Sequence, residues 1–372
     1  MRVVLIEPSG RRGLDHYVHC LGNVLAERGH RVVLLTGIGH ETAALRAQYQ
    51  TVEVFDRFRT SPARLMRGLL ALRRDGVDVV HLHGAIHPEL YAPILWLART
   101  VLGCPVVYSA HDVLPFKHAL AGSPLGPVLT GPLTGLVYRL AAAVVVHAEE
   151  NRRYLLRRFA LRPGTVHVAP IGNYAFLETL AGPAPAAPRS DVRRVLFFGI
   201  IVESKGLMGL IRAFAQVAAR VPSSRLAVVG RPFQDVRPYL AEIQRLGLTD
   251  RVETEFREVA MAEIPRYFRE ADVVALPYRN ASQSAVVQVA YAFGRPVVAT
   301  AVGGLAEVVE HRKAGLVVPP NDDRALAEAL VELLTDDALR AEMGAHARGL
   351  SRDRYSWDRV ASKIEEAYAS AR

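Results

Sequence analysis

The chain has 372 residues, half of them hydrophobic and 22% charged, with two cysteines and a net charge of +9. That length argues for about two domains and the composition excludes a disordered protein, while Cys20 and Cys104 have no metal or redox spacing and fit a reducing compartment. No stretch reaches the roughly 18 uninterrupted apolar residues of a spanning helix and no signal-peptide pattern follows MRVVLIEPSG, so the expectation is a soluble, cytoplasmic protein.

In chain order, Val3 to Ile6 reads as a buried strand, followed by a glycine-containing turn at Ser9 to Gly13 and a helix from about Tyr17 to Arg28 that Gly29 ends. Strands are expected at Arg31 to Thr36, Val77 to Leu82, Pro105 to Ser109 and Ala143 to His147, with a helix at Leu90 to Leu102. Continuous apolar strands separated by helices indicate a parallel sheet covered on both faces. Residues 181–194, rich in proline and alanine, read as a linker. The alternation then restarts at Val195 to Phe198 and runs through strands at Leu226 to Val229, Val252 to Glu255, Val273 to Leu276 and Val297 to Ala299. Helices are expected near Leu207 to Arg220, Val236 to Leu246, Ile264 to Arg269 and Ala285 to Phe293, with a final amphipathic one at Tyr355 to Ala371. The fold class is therefore α/β, two doubly wound Rossmann-like domains facing each other across a cleft where ligands bind at the carboxyl ends of strands.

The charge is uneven. Residues 1–190 hold 21 Lys plus Arg against 13 Asp plus Glu, giving +8, and the rest holds 25 against 24, giving +1. Codon bias explains why arginine outnumbers lysine 42 to 4 but not why the excess sits in one half. A basic first half fits an anionic or membrane-associated acceptor, with peripheral contact at the inner membrane face. No nucleic-acid motif accompanies the charge.

Two segments carry candidate chemistry. In Phe197 to Gly206 a strand opens into a glycine-bounded loop, the single Lys205 follows and a helix begins. Backbone N–H groups, a helix N-terminus and one ammonium near a strand end suit a phosphate. In Pro277 to Thr300 a strand gives way to a Ser/Gln loop in which Ser282 or Ser284 can cap an apolar helix, and the free amides behind it can hold an anion. Gly303-Gly304 then makes a second glycine turn.

The run from Lys205-Gly206-Leu207, through Ala290-Tyr291-Ala292-Phe293-Gly294-Arg295-Pro296, to Val302-Gly303-Gly304-Leu305 and Glu307 resembles glycosyltransferase family 4. So do Gly13, Arg28-Gly29-His30, Ser109-Ala110-His111-Asp112-Val113-Leu114-Pro115, Gly315 to Pro320 and Tyr355-Ser356-Trp357. The resemblance implies the GT-B fold and transfer, with retention of configuration, from a nucleotide sugar to a small-molecule, glycolipid or glycan-precursor hydroxyl. The sugar nucleotide is a co-substrate, and neither a cofactor nor a metal is implied. It places Lys205 on the donor diphosphate, the amides of Ser284, Ala285 and Val286 on its distal phosphate, Gly13 in a turn closing on the donor, and His111 at the donor sugar. His111 and Lys205 are the expected catalytic residues. The expected domains are residues 1–186 on the acceptor side and 187–354 on the donor side, with the helix at 355–371 packing back on the first.

Three positions depart from the family pattern. Ile200 stands where an arginine is usual, and Ala281 and Val289 stand where two glutamates are usual. Gln283, Gln288 and Arg279 are the nearby candidates to replace them at the donor. The losses also motivate a second reading, a catalytically degenerate partner of another transferase. A sugar-nucleotide epimerase would want paired catalytic acids that are not evident here. His81, His83 and His87 lack a carboxylate or cysteine to complete a metal set and read as cleft-lining polar residues. The basic amphipathic stretch from Arg57 to Arg74 either packs its leucines on the domain's own sheet or docks on an anionic surface.

Overall fold

The computed structural model of the protein describes residues 1–56, 59–60, 62–84, 87–113, 126–180 and 191–372. They form two compact units, Met1–Ile171 with Trp357–Arg372, and Gly172–Ser356. Unit 1 opens with β1 (Arg2–Glu7), α1 (Arg12–Glu27), β2 (Arg31–Gly37) and β3 (Gln50–Asp56). Then come β4 (Arg59–Thr60), α2 (Pro62–Arg74), β5 (Val79–Gly84), α3 (Pro88–Leu102) and β6 (Val106–Ala110). It continues with α4 (Gly126–Leu140), β7 (Ala143–Val146), α5 (Glu149–Phe159) and β8 (Val166–Val168). The strand order is β4-β3-β2-β1-β5-β6-β7-β8, parallel throughout except for β4 at the edge. Leu65, Leu69 and Leu72 of α2 join Val4, Ile6, Val80 and residues of α3 and α4 in one apolar cluster on one face of this sheet. Leu65, Leu69 and Leu72 of the basic stretch thus pack on the domain's own sheet while Leu70 is exposed; Arg57, Phe58 and Ser61 lie outside the described residues.

Unit 2 begins with α6 (Phe176–Leu180), β9 (Arg193–Phe198), α7 (Leu207–Arg220), β10 (Ser224–Val229), α8 (Arg237–Arg245) and β11 (Val252–Glu255). It goes on through α9 (Ile264–Glu270), β12 (Val273–Leu276), α10 (Ala285–Ala292), β13 (Val297–Thr300) and α11 (Leu305–Val308). β14 (Gly315–Val318), α12 (Asp323–Thr335) and α13 (Asp337–Arg352) complete it. Its six strands are all parallel, in the order β11-β10-β9-β12-β13-β14. The order reverses at β1/β5 in unit 1 and at β9/β12 in unit 2, the switch points where such sheets bind ligands.

The chain enters unit 2 at Gly172, earlier than the linker expected at 181–194, of which 181–190 lie outside the described residues. The reason is local. The Asn173 amide donates to the Tyr355 carbonyl at 2.8 Å and its side chain to the Ser351 carbonyl at 2.9 Å, while α6 packs on α9. The last helix, α14 (Trp357–Ala371), belongs to unit 1 and packs on α1, β6 and β7. Glu365 of α14 accepts from Arg28 at 2.7 Å and pairs with His30 at 2.8 Å, and the Tyr368 hydroxyl meets His81 at 2.9 Å.

Candidate active site

In unit 2 the two central strands deliver the expected donor residues. After β9 the chain passes Gly199 and makes a 3₁₀ turn, Glu203–Lys205, ended by Gly206 at φ +70°. Gly206 is required here: a Cβ would sit 1.8 Å from the Pro277 carbonyl oxygen. After β12, the Arg279 amide donates back to the Ser204 carbonyl at 2.8 Å, so the two loops are fastened together. The Lys205 ammonium lies 3.7 Å from the centroid of the Tyr278 ring. The Tyr278 hydroxyl is 3.2 Å from Ser284 Oγ. Ser284 is the residue before α10, and the half-exposed first-turn residues Ala285 and Val286 have no intrahelical acceptor for their amides. A Cβ on Gly199 would meet the Val286 side chain at 3.9 Å. Lys205, the Gly199 loop and the amino end of α10 therefore converge.

The other donor candidates are placed differently. Arg279 pairs with Glu203 at 3.2 Å and, beside the Lys205 turn, lines a polar cavity of about 130 Å³ with Gly206, Pro277, Arg212, Asp322 and Asp323. Gln288 is 1% exposed, with its amide oxygen unpartnered among the described residues, so it is part of the interior. The Gln283 side chain reaches the Gly304 carbonyl at 3.5 Å, on the second glycine turn. Ala281 and Val289 are buried, and Ile200 is partly exposed.

In unit 1, Glu7 shapes the loop after β1. Its carboxyl group accepts the amides of Ser9 at 2.9 Å and Gly10 at 2.6 Å, while burial pushes its pKa up to about 7. Gly13 follows in the first turn of α1. His111 comes directly after β6, and its ring stands between two other imidazoles. Its Nε2 is 3.2 Å from His83 Nδ1, and its Nδ1 is 3.0 Å from His147 Nε2. The row ends where His147 Nδ1 meets the Ala169 carbonyl at 2.8 Å. A carbonyl can only accept, so His147 Nδ1 carries a proton, and in neutral rings the rest follows. His111 Nδ1–H donates to His147 Nε2, and His83 Nδ1–H donates to His111 Nε2. His83 Nε2 is left as a bare acceptor, and it has no partner among the described residues. Both nitrogens of His111 are thus already engaged. His81 and His83 are fully buried within unit 1 rather than lining a cleft, and His87 pairs instead with Glu89 at 3.0 Å. Among the described residues no cluster of His, Cys, Asp and Glu could hold a metal ion.

Residues 11–172 match the family described as Glycosyltransferase Family 4, and residues 192–336 match Glycosyl transferases group 1. The D-inositol 3-phosphate glycosyltransferase of Xylanimonas cellulosilytica is 32% identical over 96% of this chain and 92% of its own length. The chain belongs to glycosyltransferase family 4. The enzyme of the same name from Kineococcus radiotolerans is 34% identical over 79% of this family-4 glycosyltransferase and 72% of its own length. Among solved structures, Anabaena HepE in complex with UDP-glucose is 20% identical and covers all of both chains at a TM-score of 0.76. Sucrose-phosphate synthase from Thermosynechococcus elongatus is 22% identical, covering 99% of this chain and 98% of its own, at a TM-score of 0.73. These two share the fold.

Two features of this family-4 glycosyltransferase went unread in its sequence. Tyr278, the platform under Lys205, has no local sequence signal that marks its role. The row His83–His111–His147 carried a signal that pairwise motif searching misses: a histidine at or just beyond the carboxyl end of each of three neighbouring strands. That row makes a pH prediction. Burial holds His147 at about 4, His81 at about 3, and His83 and His111 well below the ordinary imidazole value. A depressed imidazole contributes stability that is complete above its unfolded pKa near 6.5 and is lost as pH falls toward the folded value. Each such group removes about 1.4 kcal/mol per pH unit below that point, and Glu7, raised to about 7, offsets one of the four between pH 7 and about 4.5. The melting temperature should therefore fall steeply between pH 6.5 and 5, and calorimetry across that range checks it. A flat profile would mean that the imidazoles are not buried neutral.

Proposed function

We propose that the chain is a retaining, metal-independent glycosyltransferase, moving a sugar from a nucleoside-diphosphate donor to a hydroxyl of a phosphorylated or otherwise anionic acceptor. The observation that carries the donor half is the convergence of Lys205, the Gly199 loop and the open amides of α10 at the ends of β9 and β12. An ammonium and a helix N-terminus suit a diphosphate, and solved proteins of the same fold hold UDP and UDP-glucose. The acceptor class rests on the relatives named for D-inositol 3-phosphate and on the +8 charge of residues 1–190. The enzyme works in the cytoplasm, with peripheral contact at the inner membrane face.

In this reading the acceptor oxygen bonds to the anomeric carbon as the sugar–phosphate bond breaks on the same face. The departing phosphate oxygen takes the acceptor's proton, so configuration is retained. Lys205 and the amides of Ala285 and Val286 take up the charge growing on the leaving diphosphate. Unit 1 contributes the Gly13 turn and His111. Incubation with UDP-glucose and inositol 3-phosphate, read by NMR, should give an α-linked product at a rate unchanged by EDTA. A β-linked product, or a rate that chelator removes, overturns retention or metal independence respectively.

Ile200, Ala281 and Val289 favour a second reading, a protein that binds a sugar nucleotide but assists another transferase. It is distinguished by a melting shift with nucleotide sugars in the absence of any turnover or donor hydrolysis across a panel of acceptors.

A further inference from the structure

The outer helical layer of unit 1 carries a surface that the proposed chemistry leaves unused. α2, α3 and α4 lie side by side on one face of the sheet, with α3 packed against both of the others. Their inward residues are committed to the core. Outward, each helix turns one large apolar side chain to solvent: Leu70, Trp96 and Leu136, at 46%, 58% and 44% exposure. Around them stand Arg67, Arg73, Arg74, Arg99 and Arg139, all exposed and none with a carboxylate partner among the described residues.

Acidic side chains are few in this layer, and Asp75, which follows α2 directly, is paired with Arg2. α2 and α4 have no Asp or Glu, and the one acid of α3, Glu89, lies in its first turn beside His87. Arginine-rich composition alone does not produce this pattern. α5, which follows directly in the chain, pairs Arg152 with Glu149 at 2.9 Å and Arg153 with Glu150 at 3.2 Å. A surface with an indole and two leucines at its centre, and around them guanidiniums that have no carboxylate partner among the described residues, suits neither bulk water nor nucleic acid. It matches the headgroup region of a bilayer, where indole rings rest at the interface, leucines enter the acyl boundary and guanidiniums meet lipid phosphates.

We propose that the α2–α3–α4 face docks this protein on an anionic lipid bilayer. This deepens the peripheral contact put forward above, and it needs no assumption about donor or acceptor. Each guanidinium near an anionic leaflet multiplies partitioning about fivefold, so five of them with three apolar anchors suffice for reversible attachment. No helix among the described residues is long and apolar enough to cross a membrane, so attachment here is by surface contact.

The test is co-sedimentation of the full chain with phosphatidylcholine vesicles made with and without phosphatidylglycerol. Binding is expected only to the anionic vesicles and should weaken as salt rises. The double variant Arg67→Glu/Arg74→Glu should lower partitioning at least tenfold, and Trp96→Ala about tenfold. Phe233→Ala, an exposed aromatic of unit 2, should leave it unchanged. All these side chains are exposed, so circular dichroism should show the native fold in each variant. Absence of binding, equal binding to neutral vesicles, or binding indifferent to these arginines and Trp96 overturns the proposal. So does displacement by free inositol phosphate, which would make the face a soluble-anion site, or a Trp96-dependent dimer in place of vesicle binding. The readout does not involve turnover, so its failure leaves the transferase reading standing, and an inactive transferase leaves the docking result standing.

Discussion

Replacing Lys205 with methionine is expected to lower kcat/KM by about 10²–10³-fold while leaving the melting temperature almost unchanged. The two effects separate because of where the ammonium stands. It is half-buried, 3.7 Å over the Tyr278 ring, and has no carboxylate partner among the described residues. A partly exposed cation–π contact of this kind contributes about 0.5–1 kcal/mol to the fold, which methionine's stem in part replaces by packing. Its larger worth lies in the charge it offers beside the open end of α10. There a leaving diphosphate gains negative charge during transfer, and a fixed cation stabilises that state more than the ground state. Ile200 sharpens the expectation, since no second cation stands at the position after Gly199. Steady-state rates with a turned-over nucleotide sugar, alongside thermal melting, would check both halves. A full rate in Lys205→Met would remove Lys205 from the donor diphosphate.

The alternation of Val/Ile/Leu runs with amphipathic stretches made both doubly wound sheets legible, because parallel strands buried on two faces need continuous apolar sequence. Lys205 and the start of α10 were legible for a related reason, since a glycine stop and a polar loop after a strand are local signals. What lay further apart was not. The fastening of Ser204 to Arg279, and the placement of Tyr278 beneath Lys205, depend on β9 pairing with β12. Likewise the row of imidazoles exists because β5, β6 and β7 run parallel in register, with His83 opposite Ser109 and His147 one residue past β7. Gln288 is the opposite case, since its burial is set by helix periodicity rather than by a local motif. α12 and α13 passed unread although each has an aspartate cap, Asp322 accepting from the Ala325 amide and Asp336 from the Leu339 amide. The unit boundary at Gly172 was hidden because Asn173 is held by carbonyls of Ser351 and Tyr355, remote in sequence.

Gly206→Ala should be strongly damaging for a single added methyl, costing about 3–5 kcal/mol and abolishing the melting shift with donor. Two costs combine. The backbone there is at φ +70°, where a Cβ adds about 1 kcal/mol. The added carbon would also stand 1.8 Å from the Pro277 carbonyl oxygen, a backbone atom that cannot turn aside as a flexible side chain could. Relief requires the 203–206 turn and the chain after β12 to separate, which breaks the Arg279 to Ser204 hydrogen bond of 2.8 Å and lifts Lys205 off Tyr278. Gly247 isolates the first cost from the second. It has nearly the same backbone, φ +67°, but nothing within 4 Å of a would-be Cβ. Gly247→Ala should therefore lose only about 1 kcal/mol and keep the full donor-induced shift. Urea midpoints for the two variants, with and without nucleotide sugar, compare strain alone against strain plus collision. Equal losses would mean that the close approach of the Lys205 turn to Pro277 is not what holds the donor loop in place.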